Sequence, residues 1–171
     1  VSRIRNLPMP VVCAVNGVAA GAGANLALAC DIILAARSAS FLQAFARIGL
    51  IPDAGGTWTL PRQVGDARAK GLAMLAEPLA AEKALDWGLI WQVCDDDKLI
   101  AEATAVASRL SKQPTKAFAL IKQSINASSS HGLEAHLAVE AKLQAQAAAS
   151  HDYNEGVTAF LEKRKPVFKG E

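Results

Sequence analysis

A short apolar run, Val11-Val-Cys-Ala-Val15, stops at Asn16-Gly17, and a few residues later the chain reaches Gly21 and Gly23. Composition and length make Val11 to Val15 a buried strand. Ala22 to Cys30 is built from small and apolar residues and reads as a short helix. Gly21 and Gly23 fall at its start, since either glycine would weaken a helix interior. The order strand, glycine-punctuated turn, helix leaves unpaired backbone N–H groups at the turn, where the helix start adds partial positive charge. Such a place suits a developing negative oxygen. Two other uses of a glycine-rich turn are excluded. No Gly-Lys-Ser/Thr ending follows, and Leu26 stands where a dinucleotide fingerprint needs its third glycine. The same glycines also serve close helix–strand packing, and the local sequence leaves the two uses equally open.

Around this turn the chain changes character near residue 65. Before it, short strand candidates at Ile32 to Ala35 and Ser40 to Gln43 alternate with turns. After it the pattern is helical, over Ala67 to Leu75 and Ala81 to Trp87, with Gly88 as the stop of the second. Leu89 to Val93 returns to strand. Asp97 to Ser111 is amphipathic, with Leu99, Ile100, Ala103, Val106 and Leu110 on one side. Pro114 suits the first turn of a helix running to about Ala127. Leu133 to Ala149 and Asp152 to Lys163 complete the set, with Ser130, His151 and, better, Asp152 as capping candidates. The fold class is α/β in the first third and α in the rest.

The 171 residues suffice for a domain with a real core. The apolar residues are dispersed, and no run approaches the roughly 18–20 needed to span a bilayer. No secretory leader is visible, because Asn16 and the glycines break the apolar stretch that follows Arg3 and Arg5. The expectation is a soluble cytoplasmic protein. A net charge of +2 gives no reason to expect a nucleic-acid partner. Cys13, Cys30 and Cys94 lack metal-ligand spacing and read as buried free thiols, so no metal is expected.

Two further segments narrow the reading: Leu26-Ala-Leu-Ala-Cys-Asp31, and Gly49-Leu-Ile-Pro-Asp-Ala-Gly-Gly-Thr-Trp-Thr-Leu-Pro-Arg62. Together with Pro10 to Gly17, Ala81 to Ile90 and Asn154 to Arg164, they resemble, in order and spacing, the enoyl-CoA hydratase/isomerase or crotonase family. The resemblance covers essentially the whole chain. It implies the C-terminal part of a crotonase-type ββα spiral followed by a helical trimerisation region. Residues 1–95 would form the partial spiral core with the oxyanion-hole turn and the catalytic loop, and residues 96–171 the C-terminal helices. Members usually carry a further stretch before this point. It holds the first strands, one of the two oxyanion donors and much of the adenine-end contact. A chain of these 171 residues alone is therefore expected to be catalytically incomplete.

By the family pattern the second oxyanion donor is the backbone N–H of Ala22, flanked by Gly21 and Gly23. Hydratases of the family use two glutamates to hold water; here those positions are Asn25 and Phe45, and neither can act as a carboxylate base. Asp53 remains. Some isomerases of the family carry a catalytic aspartate there, and one carboxylate can take a proton from one carbon and return it to another. The plain alternative is that Asp53 belongs to a turn, since Pro-Asp-Ala-Gly-Gly is good turn chemistry. Gly21, Gly23, Asn25 and Phe45 are expected to line the substrate site. Asn16 to Asp31, Gly49 to Trp58 and Trp87 to Val93 resemble the branch of the family that converts ring-epoxidised phenylacetyl-CoA to its oxepin form. The implied activity is an acyl-CoA isomerase acting through an oxyanion-stabilised thioester enolate, on that substrate, on enoyl-CoA double bonds, or on both. Coenzyme A enters as part of the substrate and no cofactor is implied. The resemblance also implies a homotrimer or hexamer. The competing readings are an enoyl-CoA hydratase with atypical residues and a non-catalytic RNA-binding or structural module. Asp31 is expected to brace a turn, Trp58, Trp87 and Trp91 to pack in the core or between subunits, and Lys163 to Lys165 to be solvated.

Overall fold

A computed structural model describes residues 1–171. The chain divides into two compact units, Val1–Arg5 with Val11–Ala105, and Asn6–Pro10 with Val106–Glu171. The first holds all six strands: β1 (Val12–Val15), β2 (Val18–Ala20), β3 (Ile32–Ala36), β4 (Ser40–Leu42), β5 (Leu79–Ala80) and β6 (Gln92–Cys94). They form two three-stranded sheets, in the orders β1-β3-β6 and β2-β4-β5. All pairs are parallel except β4 with β5.

The pairing shows how the chain builds the two sheets. Val12 faces Ile32 in the first sheet and Val18 faces Ser40 in the second, so each pass of the chain adds one strand to each sheet. Asn16-Gly17 is the corner between the sheets on the first pass, and the next corner falls between β3 and β4. Asp31 braces the first pass, as its sequence context suggests: its carboxylate accepts the Val11 N–H at 2.7 Å. β3 is the central strand, and Ile33 to Ala36 are fully buried. Such a strand reads as a continuous apolar run, because both faces are covered.

Four helices belong wholly to this unit, α2 (Ala22–Ala27), α3 (Gly56–Val64), α4 (Asp66–Leu75) and α5 (Ala81–Asp86), together with all but the last residue of α1 (Ser2–Asn6). A one-turn 3-10 segment covers Ala44–Ile48. Sequence reasoning assigns no helix to residues 56–64, where Pro61 and the preceding glycines argue against one; α3 forms nonetheless. β2 is likewise unread in the sequence, because Val18 to Ala20 lies inside the glycine-rich stretch. The α2 helix is shorter than the expected Ala22 to Cys30.

The second unit contains α7 (Thr115–Ser128), α8 (Leu133–Ala148) and α9 (His151–Leu161), while α6 (Leu99–Ser111) bridges the division. The α9 cap is Ser150, whose hydroxyl accepts the Tyr153 N–H at 3.0 Å, rather than His151 or Asp152, which lie within the helix. Ser130 caps nothing; its hydroxyl donates back to Ala127. Asp152 instead anchors the chain end. Its buried carboxylate accepts the N–H groups of Lys169 and Gly170, both at 2.8 Å. No helix is long and apolar enough to cross a membrane.

Candidate active site

β2 ends at Ala20, and Gly21 N–H extends its pairing by donating to Leu42 O at 2.8 Å. Gly21 then takes φ 55°, ψ −126°, a conformation glycine adopts freely and a residue with a Cβ only under strain. This reversal starts α2 at Ala22. The Ala22 N–H is the first of the helix and meets no protein acceptor, and the residue is exposed. A helix of six residues contributes little dipole, so the oriented N–H itself is the useful group. Phe45 is buried beneath this turn: a Cβ on Gly21 would lie 3.6 Å from its ring. Phe45 thus forms the floor under the Gly21 turn. Gly23 is exposed, with open space where a Cβ would stand.

Asp53 stands at the start of a tight reverse turn closed by Gly56 N–H to Asp53 O at 2.8 Å. Its two central residues, Ala54 (φ 47°) and Gly55 (φ 81°), are both left-handed. Alanine in that region costs on the order of 1–2 kcal/mol. The Asp53 side chain is exposed and has neither a hydrogen-bond nor an ion-pair partner. A turn residue placed for structure commonly spends its carboxylate on local N–H groups; Asp53 spends only its carbonyl.

Asn25 lies on α2, three residues beyond Ala22, and is among the largest fully buried side chains. Its Nδ2 donates to Asp53 O at 2.8 Å, and its Oδ1 accepts from Gln43 Nε2 at 2.9 Å. Gln43, between β4 and the 3-10 segment, is also buried, and its Oε1 meets no protein donor. Asn25 is thus bonded to protein groups at both ends of its amide. Gly56 completes the arrangement: a Cβ there would collide with the Asn25 amide, 2.9 Å from its Oδ1. Gln43 and Gly56 are invisible to sequence reasoning as site residues, although the Gly55-Gly56 pair is a signal of close approach.

The structure thus joins Gly21 with Phe45, and the Ala22–Asn25 helix with the Asp53 turn. It leaves other candidates apart. Trp58 and Trp91 are not core: they are 39% and 70% exposed. Arg5 and Arg62 stack on the Trp58 ring, 4.7 and 4.1 Å from its centroid. His131 and His136 stack on each other, and His136 lies 3.6 Å from Glu140. Arg164 is taken up by Glu155 and Glu162. Cys94 is buried, while Cys13 and Cys30 are only half-buried, and none of the three forms a disulfide. Burial first, then hydrogen bonding to Glu102, pushes the Cys94 thiol up to about 11. No group of three or more His, Cys, Asp or Glu gathers as a metal site. An apolar groove of about 410 Å³ runs from Leu50, Ile51 and Pro52, just before Asp53, to Leu60, Ala73 and Met74. Neither Asp53 nor Ala22 is among its walls.

The sequence profile of the enoyl-CoA hydratase/isomerase family matches residues 1–171, and the chain belongs to that family. It is 56% identical over 171 residues to the 1,2-epoxyphenylacetyl-CoA isomerase of Escherichia coli (strain K12), covering 100% of this chain and 65% of that protein. It is 55% identical over 167 residues to a probable enoyl-CoA hydratase of Rhodobacter capsulatus, covering 98% of this chain and 65% of the relative. Among solved structures, an enoyl-CoA hydratase from Polaromonas sp. JS666 superposes with a TM-score of 0.94 at 39% identity, over 98% of this chain and 65% of that one. The chain thus spans about 65% of the length of these relatives.

Proposed function

We propose that this chain supplies the reaction centre of an acyl-CoA isomerase, with Asp53 as the proton-transfer base and the Ala22 N–H as an oxyanion donor. The observation that carries the reading is the state of Asp53. Its carboxylate is exposed and unpartnered, on a strained turn tied by its carbonyl to the helix that bears Ala22. In double-bond migration, Asp53 takes a proton from the carbon next to the thioester. The electron pair moves onto the thioester oxygen, which the Ala22 N–H stabilises. The electrons then return through the shifted double bond, and protonated Asp53 delivers the proton to the γ carbon. The substrate is a ring-epoxidised phenylacetyl-CoA, rearranged to the oxepin, an unsaturated acyl-CoA, or both; the similarity to the Escherichia coli isomerase supports the former.

Coenzyme A is part of the substrate, and the chemistry needs no further cofactor. Residues 1–95 serve as the spiral core and residues 96–171 as a trimerisation region, giving a cytoplasmic homotrimer or pair of trimers. The exposed Ile125, Leu137, Phe160 and Leu161 in the helical unit support assembly with further copies. The test is mass spectrometry of products from 3-enoyl-CoA, ring-epoxidised phenylacetyl-CoA and crotonyl-CoA. The first two should be converted without change of mass and the third left intact. Gain of one water on crotonyl-CoA at an enzymatic rate would overturn the reading in favour of a hydratase, the activity named for the Rhodobacter relative.

A further inference from the structure

We infer that Asn25 and Gln43 form a positioning relay for Asp53, a deepening that rests on the proposed role of that residue. The direction of the relay is fixed by chemistry. The Asp53 carbonyl can only accept, so Asn25 must turn its NH₂ toward it. Asn25 Oδ1 is thereby turned toward Gln43, which must answer with its own NH₂. Each of the two side-chain amides, Asn25 and Gln43, thus has one usable orientation.

The relay serves poorly as a device for stability alone. It buries two amides, 2% and 3% exposed, and strands Gln43 Oε1 without a protein partner. An unsatisfied buried acceptor carries a desolvation cost that apolar residues of similar shape would avoid. What the relay secures is local. The Asp53 carbonyl receives two donors at 2.8 Å, one from Gly56 within its own turn and one from Asn25 across 28 residues. Without the second, the left-handed Ala54 could relax. The Asp53 carboxylate would then swing away from its reacting carbon, because side chain and carbonyl share one Cα. Since Asn25 and Ala22 both belong to α2, the same contact sets the distance between base and oxyanion donor. Gly56 is glycine because any Cβ there displaces the Asn25 amide.

Three substitutions disturb the relay at different points: Asn25→Ala removes the donor, Gln43→Leu frees the Asn25 amide to turn, and Gly56→Ala pushes it aside. Each is measured for kcat, KM and Tm with the most readily isomerised thioester of the panel, alone and combined with Asp53→Asn. Residual rates are taken with enzyme in excess over substrate. The expected result is a fall in kcat of about 10- to 100-fold, the scale of a misplaced catalytic group. KM should change little, and the loss should vanish in the Asp53→Asn background. Should one variant fail to fold, the other two carry the test. Unchanged kcat in the folded variants would overturn the relay. So would a loss of equal size in the Asp53→Asn background, since the residues would then act elsewhere. Asp53→Asn measured alone separates the two ideas. If it isomerises at the wild-type rate, the role of Asp53 has failed and the relay with it. If it is crippled while the Asn25 loss persists undiminished beside it, only the relay has failed.

Discussion

Replacing Gly21 by alanine isolates the conformational demand of the oxyanion turn from its packing. A Cβ at Gly21 would sit 3.6 Å from the Phe45 ring, an ordinary contact, so space is no obstacle. The obstacle is the backbone, at φ 55°, ψ −126°. Holding a residue with a Cβ there costs about 1–3 kcal/mol. For a chain of this size each kcal/mol lowers Tm by about 2–4 °C, so the expected drop is roughly 2–12 °C. If the turn instead relaxes, the Ala22 N–H rotates off the thioester oxygen and kcat falls by up to about 10²–10³. Gly23→Ala is the matched control. Gly23 is on α2 without a positive φ, and its Cβ would meet nothing. Alanine there should be neutral or stabilising by up to about 1 kcal/mol. Thermal denaturation and steady-state isomerisation of both variants decide the matter. Equal behaviour of the two, or a Gly21→Ala enzyme as stable and active as wild type, would refute the conformational argument.

The chain end should respond to acid. Hydrogen bonds from Arg164, first, and the Val167 N–H hold Glu155 at about 2. Burial works to raise the Asp152 pKa, but the Lys169 and Gly170 N–H groups and His151 outweigh it and hold the group below its ordinary value. Depressed carboxylates stabilise above their ordinary range, and that contribution is lost as pH falls through their folded values. The NMR amide resonance of Val167 should therefore hold steady near neutral pH and move as pH drops from about 4.5 toward about 2, and those of Lys169 and Gly170 should move only below the ordinary aspartate range. Asp152→Asn should move Lys169 and Gly170 at neutral pH; resonances indifferent to both changes would contradict the anchor.

Much of the fold is legible in the sequence, and the unread parts have physical reasons. β3 is buried on both faces and announces itself as an apolar run, and the half-buried edge strand β1 carries a similar run. Among the helices after residue 65, α6, α7 and α9 carry periodic patterns, and α5 is followed by a clear stop at Gly88, which adopts φ 75°. β2 is only three residues among glycines, and it exists because β4 pairs with it 22 residues later, Val18 with Ser40. α3 contains Pro61 and starts from a left-handed Gly55, so local propensity argues against a helix that tertiary packing enforces. The site divides similarly. Gly21 and Asp53 stand out through turn chemistry and family resemblance. The Gln43–Asn25–Asp53 connection does not, because it links positions 18 and 28 residues apart through side chains with no local signature.

The central claim is that Asp53 moves the proton. Asp53→Asn tests it most directly, because the substitution leaves the backbone carbonyl, with its bonds from Asn25 and Gly56, in place. The measurement is kcat for isomerisation of the preferred acyl-CoA, with acyl-CoA binding and Tm followed on the same preparations. A lost general base should lower kcat by about 10²–10⁴ while binding and Tm stay near wild type. A folded Asp53→Asn protein that isomerises at the wild-type rate would contradict the account and return Asp53 to the role of a turn residue.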